Sequence, residues 1–209
     1  MPVSKILAKN IMTLDHFFLD SLIGKEVQLE PLMEHHYQSL RHAANDERIW
    51  RYMPMKAHDN FFDDWFNDSL MKHAKGTQIT YAIRRTTDQR IVGSRAYYDI
   101  DTCHKRLEVG YGWFTPTVWG TRLNHESLWL LFRQAFEQWR FNRIQIAADP
   151  KNKRSYNTLK KLGAKEEGFL RQHMIHHNGL ITDTVLFSIL ASEWPVLKET
   201  LWRRLNRVA

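Results

Sequence analysis

The sequence predicts a mixed α/β fold of the α+β type, with one central sheet covered by helices. Three observations carry this. Segments alternating apolar and polar residues, as half-buried strands do, are interleaved with segments whose apolar residues recur every three to four positions, as in amphipathic helices. The chain has 209 residues, enough for one sizeable core and short for two. Its composition, 43 % hydrophobic and 25 % charged with eight Trp and eleven Phe, is that of a globular chain with large apolar side chains to bury.

Residues 1–17 are expected to form an arm, in which Val3, Ile6, Leu7 and Ile11 could make one apolar stripe of a short helix, and residues 18–209 the domain. "KEVQLEPL" (25–32) alternates as a strand, with Val27 and Leu29 on one side. Helical spacing follows in 33–45 and 61–74, on either side of "DERIWRYMPMKAHD". "TQITYAIRR" and "RIVGSRAYYDI" are strands joined by the hairpin connection "TTDQ". A third strand, "RLEVGYGWF" (106–114), carries two glycines that predict a bulge or a close backbone approach. A strongly apolar helix is expected over 124–140, a buried strand over 142–149, and a helix over 152–163 capped by Gly163. Residues 166–190 read as a long hairpin turning at Asn178-Gly179, a pair suited to two-residue turns. A last helix begins near Ser192, its expected N-cap.

The formal charge of +7 favours an acidic partner: nucleic acid, an anionic membrane or a phosphorylated small molecule. Cys103 is the single cysteine, so no intrachain disulfide can form and a reducing cytoplasm is the expected compartment. The first residues lack the apolar run of a secretory signal, and no run is long enough to span a bilayer.

Chemistry concentrates at two helix starts. "PTVWGTRLNHE" (116–126) is a glycine loop opening into the apolar helix, with Arg122 inside it, and Lys151, Lys153 and Arg154 surround the next helix start. Cations there oppose the helix macrodipole by roughly 0.3–1 kcal/mol each, a sign that a bound polyanion would reverse. Alternatively they are solvated surface charges. Neither GxxxxGK[ST] nor GxGxxG is present, so this is no nucleotide-hydrolase or dinucleotide loop.

Together with "LEPL", "IWRYMP", "LEVGYGWFTPTVWGT", "DPKNKRSYNTLKKLGAKEEGFLRQH" and "DTVLFSIL", these motifs resemble the GNAT acetyltransferases, in particular the bacterial ribosomal-protein N-terminal acetyltransferase branch. The resemblance covers roughly residues 20–206. It implies a mostly antiparallel, splayed central sheet, acetyl-CoA as donor, and a primary amine as acceptor: a small amine, a peptide or a protein N-terminus. The family's pyrophosphate loop falls on residues 117–122, where only Gly120 matches and Thr117 and Arg122 depart. Backbone N–H donors survive such changes, so Trp119, Gly120, Thr121, Arg122 and Leu123 are expected to hold phosphates; Arg122 could clash with the diphosphate or pair with it. The family's bulge places oxyanion-facing N–H groups at Tyr111, Gly112 and Trp113. Asn152 and Ser155 match donor-contacting positions, Ser155 also assisting the departing thiol, and Lys153 and Arg154 are expected to hold phosphates; capping by Asn152 and a plain helix-face role for Ser155 are the alternatives.

Glu108 is the expected base, unless it is a surface carboxylate paired with Arg106. Where some relatives carry a glutamate, this chain has Met174, and the adjacent His173 could substitute. Trp50, Tyr52 and Met53 match the family's acceptor-facing region, or close the core. His173, His176 and His177 lack a second ligand pair, so no metal is expected. Cys103 has no recognisable base partner as a nucleophile. Two other readings remain: a CoA-binding regulatory protein of the same fold, and a nucleic-acid binder, disfavoured because the basic C-terminal stretch reads as an amphipathic docking helix. No membrane partner is expected, and a homodimer is left open.

Overall fold

The computed structural model describes residues 20–206; the arm expected over 1–17 lies outside them. Eight strands form one sheet: β1 (Leu22–Ile23), β2 (Val27–Pro31), β3 (Gln78–Arg85), β4 (Ile91–Asp101), β5 (Arg106–Phe114), β6 (Arg143–Ala148), β7 (Lys165–Ile175) and β8 (Ile181–Leu190). Their spatial order is β1-β2-β3-β4-β5-β6-β8-β7. Every neighbouring pair is antiparallel except β5 and β6. Five helices accompany them: α1 (Tyr37–Ala43), α2 (Phe62–Ala74), α3 (Leu123–Arg133), α4 (Lys153–Leu162) and α5 (Trp194–Asn206). A parallel pair needs a crossover, which α3 supplies.

The sheet separates two apolar layers. On one side Leu29, Tyr81, Tyr97 and Leu107 meet Leu131 and Phe132 of α3, Leu159 of α4 and Leu201 of α5. On the other, Leu40 of α1 and Phe62 and Phe66 of α2 pack with Trp50 and Trp113. Each fully buried aliphatic or aromatic side chain contributes about 1.5–3 kcal/mol by leaving water, while the buried polar ends find partners: the Tyr97 hydroxyl donates to the Leu131 carbonyl at 2.6 Å, and the Trp50 indole N–H to that of Ala44 at 3.1 Å.

Several elements differ from the sequence reading. β1 was not expected; its two residues pair with β2. The helix read over 33–45 opens as a 3-10 turn at Glu34–His36, where the His36 ring accepts the Met33 N–H at 3.1 Å and reaches Glu30 at 2.8 Å. The helix read over 124–140 ends as α-helix at Arg133 and continues as a π-turn at Gln134–Gln138, which sets the Trp139 ring 4.8 Å from that of Tyr97. The hairpin turns around Asn178-Gly179 through a five-residue loop, closed by the His176 N–H on the Leu180 carbonyl. The last helix starts at Trp194, preceded by Glu193, whose carboxylate takes the Leu190 N–H at 2.9 Å; Ser192 is not its cap.

Two features shape the space between β5 and β6. Their pairing covers only Arg106–Glu108 against Arg143–Gln145, and beyond it the strands diverge. Within β5, Gly110 to Trp113 faces Ala96 to Ser94 of β4, one residue more than its partner. This bulge is centred on Tyr111, which has φ +50°. The bulge expected from the two glycines is present, and both glycines also allow a close approach: a Cβ on Gly110 would lie 2.8 Å from the Tyr98 ring and one on Gly112 2.6 Å from the Arg95 guanidinium. They make room for side chains crossing from β4.

α3 is tied to the first hairpin by Glu126. Its buried carboxylate accepts the N–H groups of Lys25, Glu26 and Val27 at 2.6, 2.8 and 3.0 Å, a charge-assisted arrangement. Glu126→Ala should lower stability by about 3 kcal/mol and Tm by roughly 6–12 °C, measured by thermal unfolding; a change below about 1 kcal/mol would mean that water replaces the carboxylate.

Candidate active site

A cavity of 470 Å³ occupies the split between β5 and β6. Its floor is the β5 segment from Glu108 through Phe114, facing the β6 end at Ile146–Asp149. One rim is the loop Val118–Thr121 with Asn124 and His125 of α3, followed by Asn152, Arg154 and Ser155 at the start of α4. The opposite rim is Tyr52, Met53 and Pro54 together with His173, Met174 and Asp183 of the β7–β8 hairpin.

Sequence-distant residues expected at the site thus meet in one place. Tyr111, Gly112 and Trp113 line the floor, Trp119, Gly120 and Thr121 the loop, and Asn152, Arg154 and Ser155 the second helix start. Glu108, His173, Tyr52 and Met53 complete the lining. Four expected residues do not line the cavity. Trp50 is 1 % exposed and belongs to the core against Trp113, at 5.4 Å between ring centroids. Leu123, the first residue of α3, is buried in the core. Lys153 lies over the Tyr156 ring at 6.0 Å. Arg122 donates from Nη1 to the Leu205 carbonyl at 3.1 Å, placing a cation at the C-terminal end of α5, where the helix dipole welcomes it.

Loop geometry follows from local chemistry. Pro116–Val118 makes a 3-10 turn with proline at its start, and the Thr121 hydroxyl donates back to the Val118 carbonyl at 2.7 Å. Gly120 adopts φ +79° with no atom near a would-be Cβ, so the backbone angle alone calls for glycine. Trp119 is pinned by its indole N–H on the Phe114 carbonyl at 2.8 Å, and the Arg154 guanidinium stacks over its ring at 4.0 Å. Burial holds the Arg154 guanidinium below its usual range. Asn152 caps α4, its side-chain oxygen accepting the Ser155 N–H at 3.1 Å, while still facing the cavity. Because Arg122 is engaged with α5, Arg122→Gly should cost about 1 kcal/mol of stability, read from melting curves.

Glu108 sits where β5 and β6 part. Its carboxylate is 8 % exposed as a residue, accepts the Tyr98 hydroxyl, and accepts the Gln145 side-chain N–H at 3.0 Å. It is not paired with Arg106, which bonds Asp99 at 2.6 Å and Asp101 at 3.2 Å. Burial raises the Tyr98 phenol, and the charge of Glu108 raises it further, so the phenol stays a donor. Tyr111, raised by its own burial, stacks 4.5 Å from Tyr98 between centroids. A bulge in β7 explains His173: Gln172 takes φ +51° and gives its N–H to the Asp183 carboxylate at 2.7 Å, and His173 Nδ1 lies 3.1 Å from the Thr184 hydroxyl.

Two groups at the cavity escaped the sequence reading. Arg95 of β4 passes beneath the bulge, gives Nη2 to Asn124 Oδ1 at 2.6 Å, and leaves a buried Nε without a partner. Burial lowers its guanidinium to about 10, which still leaves it charged at neutral pH. Asp149 and His176 face each other at 3.9 Å, both nearly inaccessible; burial lowers the His176 imidazole and Asp149 opposes this. A cluster of possible metal ligands, Glu30, His35 and His36, lies outside this cavity lining, with the Glu30 carboxylate held by Arg84 at 2.6 and 2.9 Å.

A sheet opened between two parallel strands thus gives the site a bulged floor and two helix starts at its rim. Residues 26–165 match the model of the acetyltransferase (GNAT) domain. The chain belongs to the GNAT acetyltransferase family. Among relatives, it is 29 % identical to YdaF of Bacillus subtilis (strain 168), provisionally named a ribosomal N-acetyltransferase, over 107 residues, 51 % of this chain and 57 % of YdaF. The match therefore spans less than two thirds of that relative. A GCN5-related N-acetyltransferase from Brucella melitensis superposes with TM-score 0.82 at 24 % identity, covering 90 % of this chain and 86 % of that one. RimJ of Mycobacterium smegmatis, solved in complex with CoA-disulfide, superposes with TM-score 0.77 at 19 % identity, covering 90 % and 95 %.

Proposed function

We propose that the protein transfers an acyl group, in the simplest case acetyl, from acyl-CoA to a primary amine by direct attack in a ternary complex. The observation that carries this reading is the position of the Glu108 carboxylate at the apex of the β5–β6 split, two residues from the bulge it adjoins. The donor supplies a thioester whose carbonyl carbon is open to attack. The residues present fit such a donor: a narrow slot for its arm, and backbone N–H groups at the starts of α3 and α4, which have no intrahelical partners, for its diphosphate.

Within the slot, the N–H groups of Tyr111, Gly112 and Trp113 would face the carbonyl oxygen, and donors so placed are usually worth about 3–4 kcal/mol when charge develops there. Glu108 takes the proton of the incoming ammonium, directly or through one water, with Tyr98 and Gln145 holding the carboxylate in place. Ser155 at the start of α4 returns a proton to the departing thiol, which needs little help at a pKa near ~8.5. Tyr52, Met53 and His173 form the mouth through which the amine enters. A peptide or protein N-terminus is the favoured acceptor, on the likeness to YdaF.

Thiol release from acetyl-CoA, followed with a panel of small amines and peptides with free N-termini, tests this. Product with at least one acceptor is expected. CoA binding with no release across the panel would instead favour a regulatory CoA-binding protein.

A further inference from the structure

The acyl-CoA reading above is the premise of this inference, which concerns the acyl group itself. Arg95 is 7 % exposed. Its guanidinium meets one neutral acceptor, Asn124 Oδ1, and no carboxylate among the described residues pairs with it, while its buried Nε has no partner. The nearest acid along α3, Glu126, already spends both oxygens on the N–H groups of Lys25, Glu26 and Val27. The other neighbours offer no anion: the Phe114 ring at 5.8 Å, and His125, whose imidazole is lowered by burial and then by the charge of Arg95. A buried cation left uncompensated is unfavourable, and one placed beside the first turn of a helix is more so.

Its location says which anion would relieve it. A Cβ on Gly112 would lie 2.6 Å from Nη2, 2.7 Å from Nε and 2.8 Å from Cζ, so the guanidinium lies against the middle of the bulge. That is the thioester end of the slot. The diphosphate is expected on the 117–122 loop, where Arg154 covers Trp119; Arg95 Nη2 reaches toward that helix start through Asn124, and Nε, against the bulge, is the atom left for the acyl group. An acetyl group offers a cation there only its neutral carbonyl oxygen, already faced by the bulge N–H groups, whereas an acyl chain ending in a carboxylate offers a charge-assisted partner.

We infer that the slot selects an acyl-CoA of the malonyl or succinyl class, with Arg95 holding the terminal carboxylate and Asn124 holding Arg95. In the transfer, a C–N bond forms between the amine and the thioester carbon and the C–S bond breaks. Of the three protons on the starting ammonium, one stays on the amide, one ends on the thiol and one leaves to solvent through Glu108. The carboxylate remains ionised throughout.

Titration calorimetry with succinyl-CoA, malonyl-CoA, acetyl-CoA and free CoA decides the matter, with mass spectrometry of the acylated amine as a second readout. At least one dicarboxylic acyl-CoA should bind the wild type about tenfold or more tighter than acetyl-CoA, and Arg95→Gln should bring that ratio to within about threefold of one. The wild-type comparison needs no variant, and Asn124→Ala should lower the ratio if Arg95→Gln does not fold. A wild-type ratio near one, or an Arg95→Gln loss shared equally by acetyl-CoA and free CoA, overturns the inference and leaves the acyltransferase reading standing. If neither free CoA nor any acyl-CoA binds the wild type, it is the acyl-CoA reading itself that fails.

Discussion

Glu108→Gln is expected to lower kcat by about 10²–10³ at pH 7 with little change in the apparent affinity for the acyl donor. The substitution keeps the shape and an oxygen for the Tyr98 hydroxyl, at the cost of the Gln145 contact, since the Gln145 amide is oriented by its oxygen accepting from Arg143 Nη2 at 3.1 Å. What is lost is the ability to take a proton. The deficit should therefore narrow as pH rises past the acceptor's own pKa, near ~8 for an α-amino group, because the amine then arrives neutral. A loss that is the same at pH 7 and pH 9 would point to a positioning role for the carboxylate, and a loss under about fivefold would move the base elsewhere, with the buried His176 and Asp149 next in line.

The second large effect is expected at Gly93. A Cβ there would stand 2.1 Å from the Trp113 carbonyl oxygen and 3.1 Å from the Phe114 Cα. Both obstacles are backbone, so no side chain can swing aside. Gly93→Ala should cost about 3 kcal/mol or more, lowering Tm by roughly 6–12 °C, and it should weaken donor binding, since Trp113 is part of the bulged floor. Gly120→Ala provides the contrast. Nothing surrounds its would-be Cβ, and only the angle of +79° resists, at about 1 kcal/mol. Equal stability losses for the two would refute the close-approach account of Gly93.

Most of the element order could be read from periodicity because strands and helices here keep their own repeats and are separated by strong turn residues. The proposed placing of Gly120, Asn152 and Ser155 comes from the resemblance to the GNAT acetyltransferases and that of Glu108 from its strand beside the slot; all four line the cavity between β5 and β6. What the residue pattern hid was direction. Arg122 is beside the loop in sequence but reaches Leu205, 83 positions away, and nothing local announces that. Arg95 alternates with apolar neighbours and so reads as outward-facing, yet helices cover both faces of the sheet there, and outward is still inside. Within the bulge it is Tyr111, not a glycine, that takes the left-handed conformation, while Gly110 and Gly112 leave room for the side chains of Tyr98 and Arg95.

The short contact between β5 and β6 also has a mechanical meaning. Five strands stand on one side of it and three on the other, joined edge to edge over only three residue pairs. α3 makes the covalent crossover, and the Trp129 indole bonds α3 to the Lys198 carbonyl of α5 at 3.4 Å. The two groups of strands thus meet at a narrow seam, bridged by one continuous apolar core that takes in Leu29, Tyr81 and Leu107 on one side and Ile144, Val185 and Phe187 on the other. Amides along the seam should exchange with solvent sooner than those in β3 and β4, and a donor that fills the cleft should slow them first.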